Sequence, residues 1–160
     1  MGVLIKGCDI AGMELSKIGA EVGYLFQNPD KQIFATTVKD ELSFVMRMNK
    51  QNEDEIKETV SKVSHQFHIA HLMDAKCHRL SKGEKQRVAL AGIFMRNPEF
   101  LILDEPTTGL DDKRKLILGE VLEDVKKQGV GIMLITHDKD FVACHADRVL
   151  IIEDNKVLES

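Results

Sequence analysis

Two different spacings of apolar residues divide this chain. Near the start, Val3-Leu4-Ile5 is a short apolar run ended by Gly7, and Val22-Gly23-Tyr24-Leu25-Phe26 is another, closed by the turn signal Gln27-Asn28-Pro29-Asp30. Both read as strands. From about Val38 the period changes. Asn52 with Glu55 three residues on resembles a capping box, and Ile56, Val60, Val63 and Phe67 then recur at helical spacing. Ser81 and Glu84 repeat the capping pattern and open a helix from about Lys82 to Arg96, which Asn97-Pro98 ends.

Beyond Pro98 strand-like runs return. Phe100-Leu101-Ile102-Leu103 is continuous and predicts a strand buried on both faces of a parallel sheet. Leu116, Val121, Leu122 and Val125 mark a helix, with Gly129 placed to cap its end. Val130 to Ile135 reads as a second buried strand, followed by a short helix near Phe141 and a strand from Arg148 to Glu153. Asp154-Asn155 then turns that strand into a hairpin with Lys156-Val157-Leu158. Strands alternating with helices at both ends, around a purely helical middle, predict an α/β fold.

Composition narrows the class. The 160 residues are 43% hydrophobic and 30% charged, which suits one globular domain with a real core. A net charge of -4 and no basic stripe argue against nucleic acid as a partner. No apolar run approaches the roughly 20 residues that span a bilayer. The N-terminus does not read as a signal peptide, and Lys6 stands where a myristoylation motif wants Ser or Thr. Three widely separated cysteines, Cys8, Cys77 and Cys144, read as reduced thiols of a cytosolic protein.

The strongest chemical signal is Phe100-Leu101-Ile102-Leu103-Asp104-Glu105-Pro106. A buried strand ending in two carboxylates places them at the carboxyl edge of the sheet, where α/β folds bind ligands. Asp104 suits a water-mediated Mg²⁺ ligand, and Glu105 suits a group that orients or deprotonates water. Taken alone, the pair reads equally well as an acidic turn. Three further motifs appear in a fixed order around it: Leu80-Ser81-Lys82-Gly83-Glu84-Lys85-Gln86-Arg87 before, Thr107-Thr108-Gly109-Leu110-Asp111 after, and Leu134-Ile135-Thr136-His137-Asp138 at the end of the next strand.

Together with Gln27, this set resembles the ATP-binding-cassette (ABC) family, with its Q-loop, signature motif, Walker B, D-loop and H-loop in that family's order. The resemblance covers essentially the whole chain. Gln27-Asn28-Pro29-Asp30-Lys31-Gln32-Ile33-Phe34-Ala35 with Thr37-Val38 is similar, within the family, to the energy-coupling-factor ATPases of vitamin and transition-metal importers. The resemblance implies a P-loop NTPase-like parallel-sheet core, with an α-helical subdomain inserted at about 36–97 and the N-terminal part missing. It implies ATP and Mg²⁺ as cofactors, with Asp104 and Gln27 at the metal and Glu105 and His137 catalytic. Gln27 would also sense the γ-phosphate and link the site to the transmembrane partner. Ser81 and Gly83 would face the ATP of a partner subunit, where free N–H groups and the helix dipole favour an anion. Asp111 would lie at the dimer interface. The implied partners are a second ATPase subunit, identical or not, and a transmembrane transporter subunit, with the chain peripheral on the cytoplasmic face of the membrane.

Two departures stand out. The signature carries Lys82 and Glu84 where the family usually has glycine and glutamine. No GxxxxGK[ST] pattern occurs in the 160 residues, so the backbone cradle and lysine that hold the β- and γ-phosphates are absent from them. Three or more lost charge-assisted hydrogen bonds remove about 5–9 kcal/mol, against about 8 kcal/mol for the whole of micromolar binding. The chain is therefore expected to start partway through a domain and to bind ATP negligibly in cis. With a sheet edge and a core face uncovered, it is expected to be marginally stable or prone to aggregate.

The leading expectation is an ATPase component that couples hydrolysis in a subunit dimer to uptake across a membrane. The alternative is a non-catalytic fragment or half-site subunit that lends its signature to a partner's ATP. A DNA-maintenance ATPase of the same superfamily would carry long coiled coils between Gln27 and Ser81, and no sustained heptads occur there. His65, His68 and His71, with Cys77 and His78 nearby, suggest a metal site. Steps of three spread the first three over a wide helical arc, however, and a solvated face is the better reading. The seven methionines read as core filler, with contact to a coupling helix as an alternative for Met46, Met48 and Met73.

Overall fold

The computed structural model describes residues 3–5, 7–153 and 156–159. Strands β1 (Leu4–Ile5) and β2 (Cys8–Asp9) form a small antiparallel hairpin around Gly7, whose φ is +77°. Helix α1 (Leu15–Glu21) follows and leads directly into β3 (Val22–Leu25). This helix escapes a sequence reading because it buries no residue and has no side-chain cap.

Three helices fill the middle. In α2 (Val38–Met48), Thr37 caps the first turn by accepting from the Asp40 N–H, and Val38, Leu42 and Met46 are buried. In α3 (Glu53–Gln66), Ile56, Val60 and Val63 form the buried stripe. Asn52 does cap α3, but it accepts from the Asp54 N–H with no reciprocal bond from Glu55, so the expected box is a simple cap. In α4 (Lys82–Phe94) the Ser81–Glu84 box is complete. Phe67, just after α3, stacks at 5.2 Å on Phe94 at the end of α4.

The central sheet is parallel, in the order β3–β4–β5, with β4 at Phe100–Asp104 and β5 at Gly131–Ile135. Helix α5 (Asp112–Lys127) crosses from β4 to β5, and Gly129, at φ +85°, makes the turn after it. Helix α6 (Lys139–His145) follows β5, and a separate hairpin pairs β6 (Leu150–Glu153) with β7 (Lys156–Glu159). The Asp154-Asn155 turn expected between them lies outside the described residues.

The two sheet faces differ. Leu25, Leu101 and Leu103 are fully buried in one core with Val88 and Leu90 of α4 and Val121 and Val125 of α5. Gly23 lies on the same face, where any side chain would collide with Ile93 and Leu101. On the opposite face Tyr24, Phe26, Met133 and Ile135 remain 37–47% exposed. The expectation that β4 and β5 are buried on both sides is therefore corrected: β4 alternates, and no residue of β5 is fully buried. A continuous apolar run shows how much surface a strand can bury, and what covers that surface is a tertiary matter. Leu116 is likewise on the outside of α5, whereas Leu118, Val121, Leu122 and Val125 carry its packing.

Candidate functional site

Because β3, β4 and β5 are parallel, all three chains leave the sheet at the same rim. The register pairs Leu25 with Leu103 and Leu103 with Leu134, so Gln27, Asp104, Glu105 and His137 all lie at or just beyond that rim. Their side chains are not all engaged with one another. Glu105 and His137 are: Nε2 of His137 lies 3.5 Å from Oε1 of Glu105, with the imidazole fully exposed. The other carboxylate oxygen of Glu105 accepts from the Thr108 hydroxyl at 3.1 Å. Asp104 instead accepts at 3.2 Å from the hydroxyl of Tyr24. Gln27 is exposed and hydrogen-bonded to none of the other three.

Glu105 has a left-handed backbone, φ 48°, which a non-glycine residue adopts at a cost of about 1–3 kcal/mol. Its N–H donates to the Ile135 carbonyl at 2.7 Å, which continues the β4–β5 ladder one residue past Asp104 and locks the strained turn in place. The loop carrying His137 is braced separately. Asp138 caps α6 through the Phe141 N–H and pairs with Lys115 at 2.6 Å, and that lysine holds its carboxyl below the usual range. Thr136 accepts from the Asp138 N–H at 3.1 Å and lies 3.4 Å from the buried Thr107 hydroxyl.

The start of α4 is organised differently. Oε2 of Glu84 accepts from both the Ser81 N–H (2.8 Å) and the Ser81 hydroxyl (2.7 Å), and the Glu84 N–H donates back to that hydroxyl at 3.4 Å. The Ser81 hydroxyl first, then its N–H, keep the Glu84 carboxyl below its ordinary range. Ser81 is expected both to cap α4 and to face a partner subunit's nucleotide, and its hydroxyl accepts from the Glu84 N–H and donates to the Glu84 carboxylate. Gly83 is buried, and an added Cβ would lie 2.9 Å from Arg114 Cδ and 3.2 Å from Leu110, so the glycine lets α4 approach α5. Asp111 caps α5 through the Arg114 N–H and pairs with the Arg114 guanidinium. Gln86 donates to the Pro106 carbonyl, tying α4 to the segment after Glu105.

Sequence reasoning missed two links. Lys85 of α4 pairs with Asp30 at 2.6 Å, joining the helix to the turn after Gln27. Gln32 clamps the outer edge of β3, its amide bonding the Tyr24 carbonyl (2.7 Å) and the Phe26 N–H (2.8 Å). Strand alternation was the available signal for Tyr24, since it opposes Ile102 and therefore shares a face with Asp104 two residues on. Beside it a groove of ≈ 340 Å³ is lined by Tyr24, Phe26, Phe34 and Phe44, with Lys31 and Arg96. Among the described residues no three His, Cys, Asp or Glu side chains are placed to hold a metal ion, and no helix is long and apolar enough to cross a membrane.

A family model described as ABC transporter matches residues 2–108. The chain belongs to the ABC transporter family. Within it, the chain is 38% identical to the energy-coupling factor transporter ATP-binding protein EcfA of Methanocaldococcus jannaschii, over 98% of this chain and 57% of that protein. It is 36% identical to EcfA3 of Clostridium perfringens, over 96% of this chain and 54% of that protein. The solved structure of cbiO1 from Clostridium perfringens, described as part of the ABC transporter complex cbiONQ, superposes with a TM-score of 0.90 at 35% identity, covering 98% of this chain and 64% of that one. Both the ABC resemblance and its energy-coupling-factor branch hold, as does the P-loop NTPase-like fold class. The chain spans little more than half the length of these relatives.

Proposed function

We propose that this ABC chain is the ATP-binding and ATP-hydrolysing component of an energy-coupling-factor importer. In this reading it works in a dimer of ATP-binding subunits on the cytoplasmic face of a transmembrane subunit. The observation that carries the reading is Glu105: a carboxylate on a strained backbone, held between Thr108 and His137, next to Asp104 at the carboxyl rim. Strain of this kind persists where the surrounding structure fixes it, and it clusters at active sites.

The residues fit Mg²⁺. Asp104 and Glu105 offer hard oxygen donors, which suit an ion that keeps waters and takes its remaining ligands from substrate phosphates. Asp104 would hold it, with Gln27 reaching in from the end of β3. When bound, the ion neutralises charge on the phosphates. Glu105 would accept the proton of an attacking water or orient it. His137, fully exposed beside that carboxylate, would donate to the γ-phosphate and fix where the water stands. For ATP the fit is partial, because the 160 residues contain no phosphate loop. The α4 start would offer donors from Ser81 and Gly83 to a neighbouring subunit's nucleotide, and Asp111 would face that subunit. Residues 36–97 would serve as the helical subdomain.

The groove beside Tyr24 would receive an amphipathic helix of the transmembrane subunit. Its aromatic wall suits an apolar helix face, and Lys31 and Arg96 suit acidic residues flanking it. The membership of a related protein in the complex cbiONQ supports a multi-subunit assembly. The test is MgATP hydrolysis by the chain co-assembled with a polypeptide that supplies a strand and a GxxxxGK[ST] loop. Glu105→Gln should lower the rate by about 10²–10⁴-fold, the range for loss of a general base. An unchanged rate would remove Glu105 from the mechanism.

A further inference from the structure

Asp104 is the last residue of β4, and the β3–β4 register stops one residue earlier at the Leu25–Leu103 pair, so on that side the backbone ladder no longer guides its carboxylate. What meets the side chain there is Tyr24. Its ring starts from the position opposite Ile102, one diagonal step back on the same sheet face, a separation that an aromatic side chain spans. The hydroxyl reaches Oδ2 of Asp104 at 3.2 Å.

The ring is itself supported. It lies 5.1 Å from Phe26 at a 55° tilt, and the Gln32 amide clamps the backbone on both sides of it, at the Tyr24 carbonyl and the Phe26 N–H. The contact therefore joins the end of β4 to a ring braced by Phe26 and by the Gln32 clamp. Because only Oδ2 is engaged, Oδ1 of Asp104 stays available at the rim.

We propose that Tyr24 is a positioning residue for the metal carboxylate: its hydroxyl fixes the orientation of Asp104 so that the second oxygen is presented to the ion. The proposal rests on the reading of Asp104 as a metal ligand given above. It assigns to β3, whose end carries Gln27, a second role in the metal site through a residue outside the family motifs.

The composition supplies a direct probe. Tyr24 is the sole tyrosine and the chain has no tryptophan, so the intrinsic emission of the protein belongs to this residue. A phenol donating to an ionised carboxylate is quenched, because the carboxylate takes up the phenolic proton in the excited state. Emission of the folded chain, referenced to the same sample unfolded in denaturant, should therefore rise in Asp104→Asn. Equal emission in the two proteins would overturn the hydrogen bond and the proposal with it. The second arm titrates the chain with Mn²⁺ alone, following free ion by electron paramagnetic resonance. Tyr24→Phe keeps the ring and should weaken Mn²⁺ binding about fivefold, the equilibrium weight of one net hydrogen bond. Equal affinity in Tyr24→Phe and wild type would overturn the positioning role even where emission confirms the contact. Mn²⁺ binding that Asp104→Asn leaves untouched would instead overturn the metal role of Asp104, a failure of the functional reading itself.

Discussion

The start of α4 and the rim beyond β4 and β5 both meet phosphate in the expected scheme, yet they are built in opposite ways. At α4, Ser81 and Glu84 satisfy each other, Gly83 is packed against Arg114 and Leu110, and Gln86 is tied to the Pro106 carbonyl. At the rim, Glu105 sits on a left-handed backbone, His137 projects fully into solvent, and Asp104 has one side-chain partner. The first region satisfies its cap within the chain, while Oε1 of Gln86 and Nε of Arg87 are buried without a partner. The second holds polar groups in a geometry that the fold enforces and does not itself use. Stability should therefore respond to changes at α4, and chemistry to changes at the rim.

Substitutions can break that contrast, and the largest stability effect belongs to the cap. Ser81→Ala removes the hydroxyl that accepts from the Glu84 N–H and donates to the Glu84 carboxylate, and should cost about 1–2 kcal/mol in denaturant unfolding. A smaller loss would mean that the capping box is marginal. Glu105→Gly should act in the other direction. Releasing the strain at φ 48° should stabilise the chain by about 1 kcal/mol, even though it removes the group assigned to water activation. A net destabilisation would show that the carboxylate, between Thr108 and His137, is structural after all.

The pH dependence sharpens the same comparison. Ser81 holds the folded Glu84 pKa below its unfolded value, so its contribution is present above the ordinary glutamate value of about 4.3 and is lost as pH falls through the lower, folded value. Unfolding free energy should therefore decline with acidification through that range, and Glu84→Gln should flatten this part of the profile while keeping a capping side chain. An identical profile in both proteins would place the acid sensitivity elsewhere. The smallest effect is expected for His137→Ala. With no burial to lose, its stability should stay within about ±0.5 kcal/mol of the parent by thermal unfolding.

Much of this was legible in the sequence because the signals were local. The Ser81–Glu84 box, the stripe of Ile56, Val60 and Val63, and the order of strand ends around Asp104 depend on spacing alone. What was not legible depends on partners distant in the chain. The apolar run of β5 does not reveal that Met133 and Ile135 face outward, and alternation sets the face of Tyr24 without announcing a bond to a residue 80 positions away. Ser81 shows the same limit at short range. Spacing announces the cap, whereas the further bond from the Ser81 hydroxyl to the Glu84 carboxylate does not follow from it.

The claim on which the account turns is that divalent metal gathers at the strand-end rim. Paramagnetic broadening of backbone amide signals by Mn²⁺ tests it directly in the 160-residue chain. The amides of Asp104, Glu105 and His137 should broaden first and most strongly, with those of α3 and of the Asp124–Gln128 stretch unaffected at the same concentration. Broadening centred on the acidic start of α3, at Glu53 to Glu55, or spread evenly over the surface carboxylates, would contradict the account.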